Sequence, residues 1–570
     1  MSERNYWSSL AMRAVSRRRL MLGATGTAAL ALTPALSCGS RPAATSGGRP
    51  QAAGVGQQPK KGGTLIYAGG AAGSQDVGGR TFDPDIQTQF AAKNYILFYD
   101  RLLAYNLRSY KVEPELAQKW EQPSQTEYIF HLQPGVKWQS KPPVNGRPLV
   151  ADDLVWSLER ARSDDPRFFS RSLLTFFDKI EAPDKATVRV TSKGPYASTL
   201  TTLSVDNLAV LSKEVFDKFP KPLTAESAVG TGAFVMTNFE VGVSADYQRN
   251  SDYWKPVLPY LDGVRTKSFA DLGSAWAAFT AGQVDVTRPP GAEVKNYIAK
   301  QGPAYNPEWF ADDSIAFQYP NMTKKPMDDP RISRALRLLV DHDEMRSGWT
   351  DVVYGRGGYG SIFPTALGDW DLSEAEYKQH LEWKQPKDEA AKEAIALLNA
   401  AGYNKDNPLR FTFDSNAGGT DYSSGAQLIQ AQWKKWSGGI VDVEIKLSDS
   451  ATVQAIRPAG QFTYGFFGHS AGMVDPDIWL SSTYRTGGSL NFARFSDAQA
   501  DAMIDKQRTI FDEAQRKALV KQIVLYMIDH GPSTIGANRY FLNAVRPRVQ
   551  GYAPEYNING RQYQTIWLSG

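Results

Sequence analysis

The chain has 570 residues, with 64 Lys and Arg against 60 Asp and Glu, 42% hydrophobic and 12% aromatic residues, 14 Trp, five His and a single cysteine. Arg4, Arg13, Arg17, Arg18 and Arg19 against Glu3 carry the whole formal charge of +4 within residues 1–38, so the rest is neutral overall and has no Lys/Arg run longer than a pair. This argues against a nucleic-acid partner, which needs a concentrated basic surface; the lone cysteine excludes a disulfide framework and leaves burial to stabilise two or three domains.

Residues 1–38 read as an export signal and not as a fold element. Ser16-Arg17-Arg18-Arg19 precedes Leu20 to Leu36, a mildly apolar run of 17 residues, short of the roughly 20 that span a bilayer. Cys38 ends this stretch among Ala, Gly, Ser, Thr and Pro, with no basic neighbour to activate a thiol. Residues 39–62 are rich in Gly, Pro, Ala, Ser and Gln without apolar periodicity, the composition of a flexible linker.

Order is predicted from Gly63 onward, where Thr64 to Ala68 reads as a short strand. Thr126 to Leu132 is a second, turned by Gln133-Pro134-Gly135. Leu154, Val155, Leu158 and Ala161 recur at helical spacing within 150–162. Asp328-Asp329-Pro330 caps a helix presenting Ile332, Ala335, Leu336, Leu339 and Val340. Residues 389–401 form another, closed by Gly402. Residues 496–530 read as two helices broken near Asp512 and ended by Gly531-Pro532. Such irregular interleaving predicts α/β or α+β lobes and argues against solenoids, all-β barrels and membrane bundles.

A series of stretches then points to a family. In order they include Gly62-Gly63-Thr64-Leu65, Tyr99-Asp100-Arg101-Leu102-Leu103, Glu113-Pro114-Glu115-Leu116-Ala117, Phe130 to Val136, Ala151-Asp152-Asp153, Gly230-Thr231-Gly232-Ala233-Phe234, Pro330 to Asp341 and Asn491-Phe492. From about Gly62 to Pro547 the chain resembles the extracytoplasmic solute-binding proteins that serve ABC importers for dipeptides, oligopeptides and nickel, the family 5 type. The resemblance implies an α/β, periplasmic-binding-protein-like fold of type II, in the large peptide-binding subclass. Its lobes are joined by a hinge, with the ligand cleft between them: lobe I from 63–100, 225–310 and 535–570, an inserted lobe II at 101–224, and lobe III at 311–534. It implies a monomer without cofactor that passes a small solute to an importer's permease and ATPase. The start of the chain looks like a twin-arginine signal, and Ala35-Leu36-Ser37-Cys38 like a lipobox, although Ala35 stands where Leu is usual. Cys38 would then carry the lipid that holds the protein at the outer face of the cytoplasmic membrane or in the periplasm.

Most of these marks have structural reasons: Gly232 and Gly282 suit close backbone approach or positive φ, and Trp120 and Trp254 suit cores. The site is sought in the Gly-rich loop 465–479, with Phe467, His469, Gly472, Asp475 and Trp479, together with Asn416, Asp421 and Tyr422. In the family's peptide branches an Asp four residues before the Pro of an acidic-Pro pair holds the peptide ammonium; here that place is Gly472. The dipeptide branch's carboxylate-binding Arg aligns near Asn416, and a neutral amide cannot replace a guanidinium fork. Asp475, Asp477 or Asp421 could serve a cationic group. The aromatic and amide-rich lining suits a neutral polar ligand such as an oligosaccharide, while the family resemblance implies a peptide or similar small solute. A metal is disfavoured because His131, His342, His380, His469 and His530 are dispersed. An exported hydrolase is the competing class, but Asp152-Asp153 and Asp328-Asp329 precede helices, and no Gly-x-Ser-x-Gly or His-Glu-x-x-His occurs. A receptor for a membrane sensor would use the same fold.

Overall fold

Burial of Leu65, Tyr67 and Ala68 puts the strand Thr64–Ala71 inside a six-stranded sheet. Across the sheet the strands run 544–545, 286–287, 64–71, 263–269, 244–249 and 234–240. Thr64–Ala71 lies parallel to both of its neighbours, and 234–249 is an antiparallel hairpin. The computed structural model describes residues 58–71, 81–86, 95–106, 111–302 apart from 166 and 169, 310–311, 314–348, 359, 362–417, 420–470, 475–532, 540–553 and 560–570. Cys38, the expected signal 1–38 and most of the expected linker 39–62 lie outside them.

The glycine expectations hold by two different routes. Gly282 has φ +81°, whereas a Cβ on Gly232 would overlap the backbone of Phe98. Trp254 is half-buried and donates its Nε1–H to Asp100 Oδ2 at 2.9 Å, beside the Thr231 hydroxyl on the same oxygen.

Residues 103–192 supply a two-stranded ribbon and a four-stranded antiparallel sheet, ordered 117–124, 127–132, 187–192 and 177–184. Glu127–Leu132 alternates as a half-buried strand should, turning Tyr128, Phe130 and Leu132 inward. The helix Ala151–Ala161 packs on this sheet, and Asp153 in its first turn accepts from Val150 N–H at 3.1 Å and from Arg147. This acidic pair therefore starts a helix.

The third sheet is ordered 314–320, 464–470, 412–416 and 444–448; Thr412–Asn416 is parallel to both neighbours, and Ser314–Pro320 runs antiparallel on Tyr464–Ser470. The helices Pro330–Leu338, Asp388–Ala400 and Thr420–Trp436 pack on one face, around Ala316, Phe413, Trp433, Tyr464 and Phe466. Asp329 caps the first of these, and Gly402 follows the second at φ +92°. The other face, with Phe317, Tyr319 and Phe467, packs in a cluster with Val453 of the helix Ser450–Ala459 and with residues of Ala498–Gln507 and Glu513–His530. That cluster continues into the second region through Tyr196, Leu203 and Val229. Among the described residues no helix is long and apolar enough to cross a membrane.

Candidate solute-binding site

The connections of the third sheet reverse direction between two of its strands. From Thr412–Asn416 the chain passes through Thr420–Trp436 on one face to Glu444–Ser448, and then through Ser450–Ala459 on the opposite face to Tyr464–Ser470, on the far side of 412–416. Neighbouring strands 412–416 and 464–470 therefore flank a topological switch point, and in open α/β sheets ligands bind outside the carboxyl ends of the strands at such a point. The ladder between these two strands closes at Ser415 opposite Phe466. Beyond it Tyr464–Ser470 continues while 412–416 ends, exposing the backbone of Gly468 to other partners.

Several predicted residues converge here. Asn416 is the last residue of its strand, and Asp421 and Tyr422 lie in the first turn of Thr420–Trp436. The Tyr422 hydroxyl occupies the space that a Cβ on Gly468 would fill, and its ring meets Phe466 edge-on at 6.1 Å. His469 pairs through its backbone with Ile315. Phe467 points to the opposite face, stacked on Tyr319 at 6.2 Å and edge-on to Phe462 at 5.6 Å. Gly472 lies outside the described residues.

Asp475 and Trp479 belong to a different environment. Asp475 caps Pro476–Trp479 by accepting from Asp477 N–H at 2.8 Å, and its Oδ1 also takes Ser198 Oγ at 3.0 Å and Arg516 Nη2 at 2.9 Å. Asp477 accepts Arg508 Nε at 2.8 Å, Tyr196 Oη at 2.9 Å and Ser481 Oγ at 2.9 Å, together with Gln507. Burial alone would raise the Asp477 carboxyl, but Arg508, Arg516 and the Tyr196 hydroxyl outweigh it and hold it below the usual carboxylate range. Trp479 is fully enclosed. Both carboxylates are thus engaged by protein groups, in a sealed node that joins residues 196–198 to 475–516.

One residue that sequence reasoning missed lies at the crevice. Arg457, in the last turn of Ser450–Ala459, is 3% exposed. It donates Nη1–H to the Gly468 carbonyl at 2.6 Å and Nη2–H to Gln454 Oε1 at 2.9 Å, and its guanidinium lies 4.5 Å from the Phe492 ring centroid. A clue was present in the sequence: no Asp or Glu stands three or four residues from it on either side, so the helix supplies no ion-pair partner.

Residues 111–491 match the model of the bacterial extracellular solute-binding proteins, family 5. The chain belongs to this family. Heme-binding protein A of Haemophilus influenzae is 27% identical over 475 residues, covering 80% of this chain and 84% of that protein. The dipeptide-binding protein of Escherichia coli is 25% identical over 523 residues, covering 86% and 92%. The structure of Haemophilus influenzae OppA complexed with RPPGFSPFR superposes with a TM-score of 0.75 at 21% identity, covering 90% of this chain and 100% of that one. The architecture is therefore the type II periplasmic-binding-protein-like fold expected from the sequence, and the chain is a solute-binding protein, not an enzyme.

Proposed function

We propose that the protein is a lipid-anchored capture subunit of an ABC importer, closing its lobes around a small solute of the peptide class and presenting the closed form to the permease. The observation that carries this reading is the family match over residues 111–491, together with a sheet switch point that gathers Asn416, Tyr422, Gly468 and His469 at one edge. The three-lobe division belongs to the same proposal. It is supported by sheet membership, since each of the two four-stranded sheets draws its strands from one proposed lobe, and the six-stranded sheet from the discontinuous first. Closure by a hinge follows if the solute binds the closed arrangement better than the open one.

A relative named for dipeptides and a structural neighbour holding a nonapeptide favour peptides. The oligosaccharide alternative loses its stacking platform, because Phe467 and Trp479 are 1% and 0% exposed within the protein. Thermal unfolding of the chain from residue 39 against peptides, oligosaccharides and metal ions tests the reading. One class should stabilise the protein by about 2.7 kcal/mol at a hundredfold excess over its dissociation constant. Hydrolysis of the stabilising compound would contradict pure binding. Cys38→Ser should release the protein from the membrane fraction with solute affinity unchanged, since two acyl chains anchor stably where one is marginal; continued retention would remove the lipid-anchor part. An importer encoded beside the gene favours transport, and a sensor kinase beside it favours the receptor reading.

A further inference from the structure

Among the described residues the most exposed large hydrophobic side chains are Val257 at 60%, Val241 at 58% and Val243 at 56%. They sit at opposite ends of the six-stranded sheet. Val241 and Val243 flank Gly242 in the turn of the 234–249 hairpin, where Ser268 N–H donates to the Val243 carbonyl at 2.9 Å. Val257 lies in the loop that enters Gly263–Phe269, at the end where Thr64 pairs with Gly263. In the hairpin a glycine takes the positive φ, at +75°. In the loop Val257 itself has φ +75°, a genuine outlier for a β-branched residue.

This conformation is imposed by the loop around it. Residues 254–260 read Trp-Lys-Pro-Val-Leu-Pro-Tyr, with one cation and no acid. Trp254 is tied to Asp100, Lys255 Nζ reaches Gln564 Oε1 at 3.2 Å, Leu258 packs on the core of the sheet, and Tyr260 N–H donates to the Gln564 carbonyl at 3.2 Å. The flanking acids are engaged, Asp252 by Ser140 Oγ at 3.3 Å and Asp262 by Arg249. Backbone strain persists only where its surroundings over-determine it, and it gathers at functional places. Here it holds an apolar side chain out in solvent.

The loop also adjoins the point where the chain leaves the sheet towards its N-terminus. Gly62 N–H donates to the Tyr260 carbonyl at 2.9 Å and Gly63 N–H to Asp262 Oδ2 at 2.9 Å, and Lys60 and Lys61 just before them are exposed. Cys38 stands 24 residues before Gly62, and a Gly-rich coil of that length averages about 27 Å from end to end. An anchor at Cys38 would therefore keep this end of the sheet close to the bilayer, with the hairpin valines at the far end.

We propose that the loop 254–260 is a membrane-contact surface, in which Val257 enters the acyl boundary while Lys60 and Lys61 meet anionic headgroups. The proposal rests on the lipid-anchor reading above.

The test does without the lipid. The chain from residue 39, which has no cysteine, carries a hexahistidine tag before Gly39 and is tethered to vesicles of phosphatidylcholine, phosphatidylglycerol and a nickel-chelating lipid. A polarity-sensitive dye on Val257→Cys should brighten about twofold on tethering, and the same dye on Val241→Cys should not respond. Val257→Gly, in which the left-handed backbone is free of strain, should melt above the wild type in solution and leave the vesicles several-fold faster when imidazole is added. Silence at 257 overturns the proposal, as does an equal response at 241, which would report crowding at the surface and no oriented contact. Brightening at 257 without lipid, as the protein is concentrated, assigns the loop to a second copy and overturns it too. A Val257→Gly protein that melts below the wild type also overturns it, since the valine would then be a structural group. Membrane retention of Cys38→Ser counts against the lipid anchor alone, and silence at 257 beside a released Cys38→Ser counts against the loop alone.

Discussion

The sealed node around Asp477 and the crevice around Arg457 are both buried, both hold a guanidinium, and both draw on the segment between 454 and 516. In the node, each charge meets its opposite, and Tyr196, Ser198, Ser481 and Gln507 take up further bonds. In the crevice the charge meets, among the described residues, a carbonyl, an amide and a ring. Completed polar networks fix a structure, whereas an unpaired buried donor costs free energy. Burial by itself therefore does not say how an arginine's charge is met.

The largest effect that would break this contrast is expected at Asp477. Asp477→Ala leaves buried Arg508 with only the more exposed Asp505 as counter-charge and should cost about 3–5 kcal/mol in denaturant unfolding, against no loss for apo Arg457→Gln. If the two variants are destabilised alike, the distinction fails. Acid sharpens it. The Asp477 carboxyl is held below its usual value by Arg508 against the opposing effect of burial, so its stabilisation is complete above the unfolded value of about 3.9 and is lost as pH falls through the lower folded value. Unfolding midpoints measured between pH 2 and 5 should fall less steeply in Asp477→Ala than in the wild type.

A smaller effect is expected from Gly468→Ala, whose methyl group would take the place of the Tyr422 hydroxyl. Displacing that ring should cost about 1–3 kcal/mol, and Gly468→Ala with Tyr422→Phe, which removes the overlapping hydroxyl and keeps the ring on Phe466, should recover part of the stability. The smallest is Ser198→Ala, which removes one bond each from Asp475 and Arg516 and should cost about 1 kcal/mol with trialanine affinity unchanged. A change in affinity there would tie the node to the site.

Much of the fold was legible because its signals are local. Alternation in Glu127–Leu132, the Asp329 cap before Pro330, Gly402 after Asp388–Ala400, and Asp512 between the helices 498–507 and 513–530 each act within a few residues. The site was legible in part, since Asn416, Tyr422 and His469 are brought to one sheet edge only through the crossing of parallel strands. Asp475 looked available for a ligand because its partners Ser198 and Arg516 lie 277 and 41 residues away. Arg457 went unnoticed for the converse reason: a single Arg in a helix is ordinary until its bonds to the Gly468 carbonyl and Gln454 and its place against Phe492 are seen.

The node also bears on the order in which the chain matures. Tyr196 and Ser198 bond to Asp477 and Asp475 across 281 and 277 residues, and the arginines that neutralise those acids come later still, at 508 and 516. A ribosome that has released only the first 500 residues has made both carboxylates and neither counter-ion. The junction of the second and third regions is therefore completed after synthesis is nearly finished, and a chain truncated before Arg508 should remain open there and vulnerable to proteolysis, even with both four-stranded sheets formed.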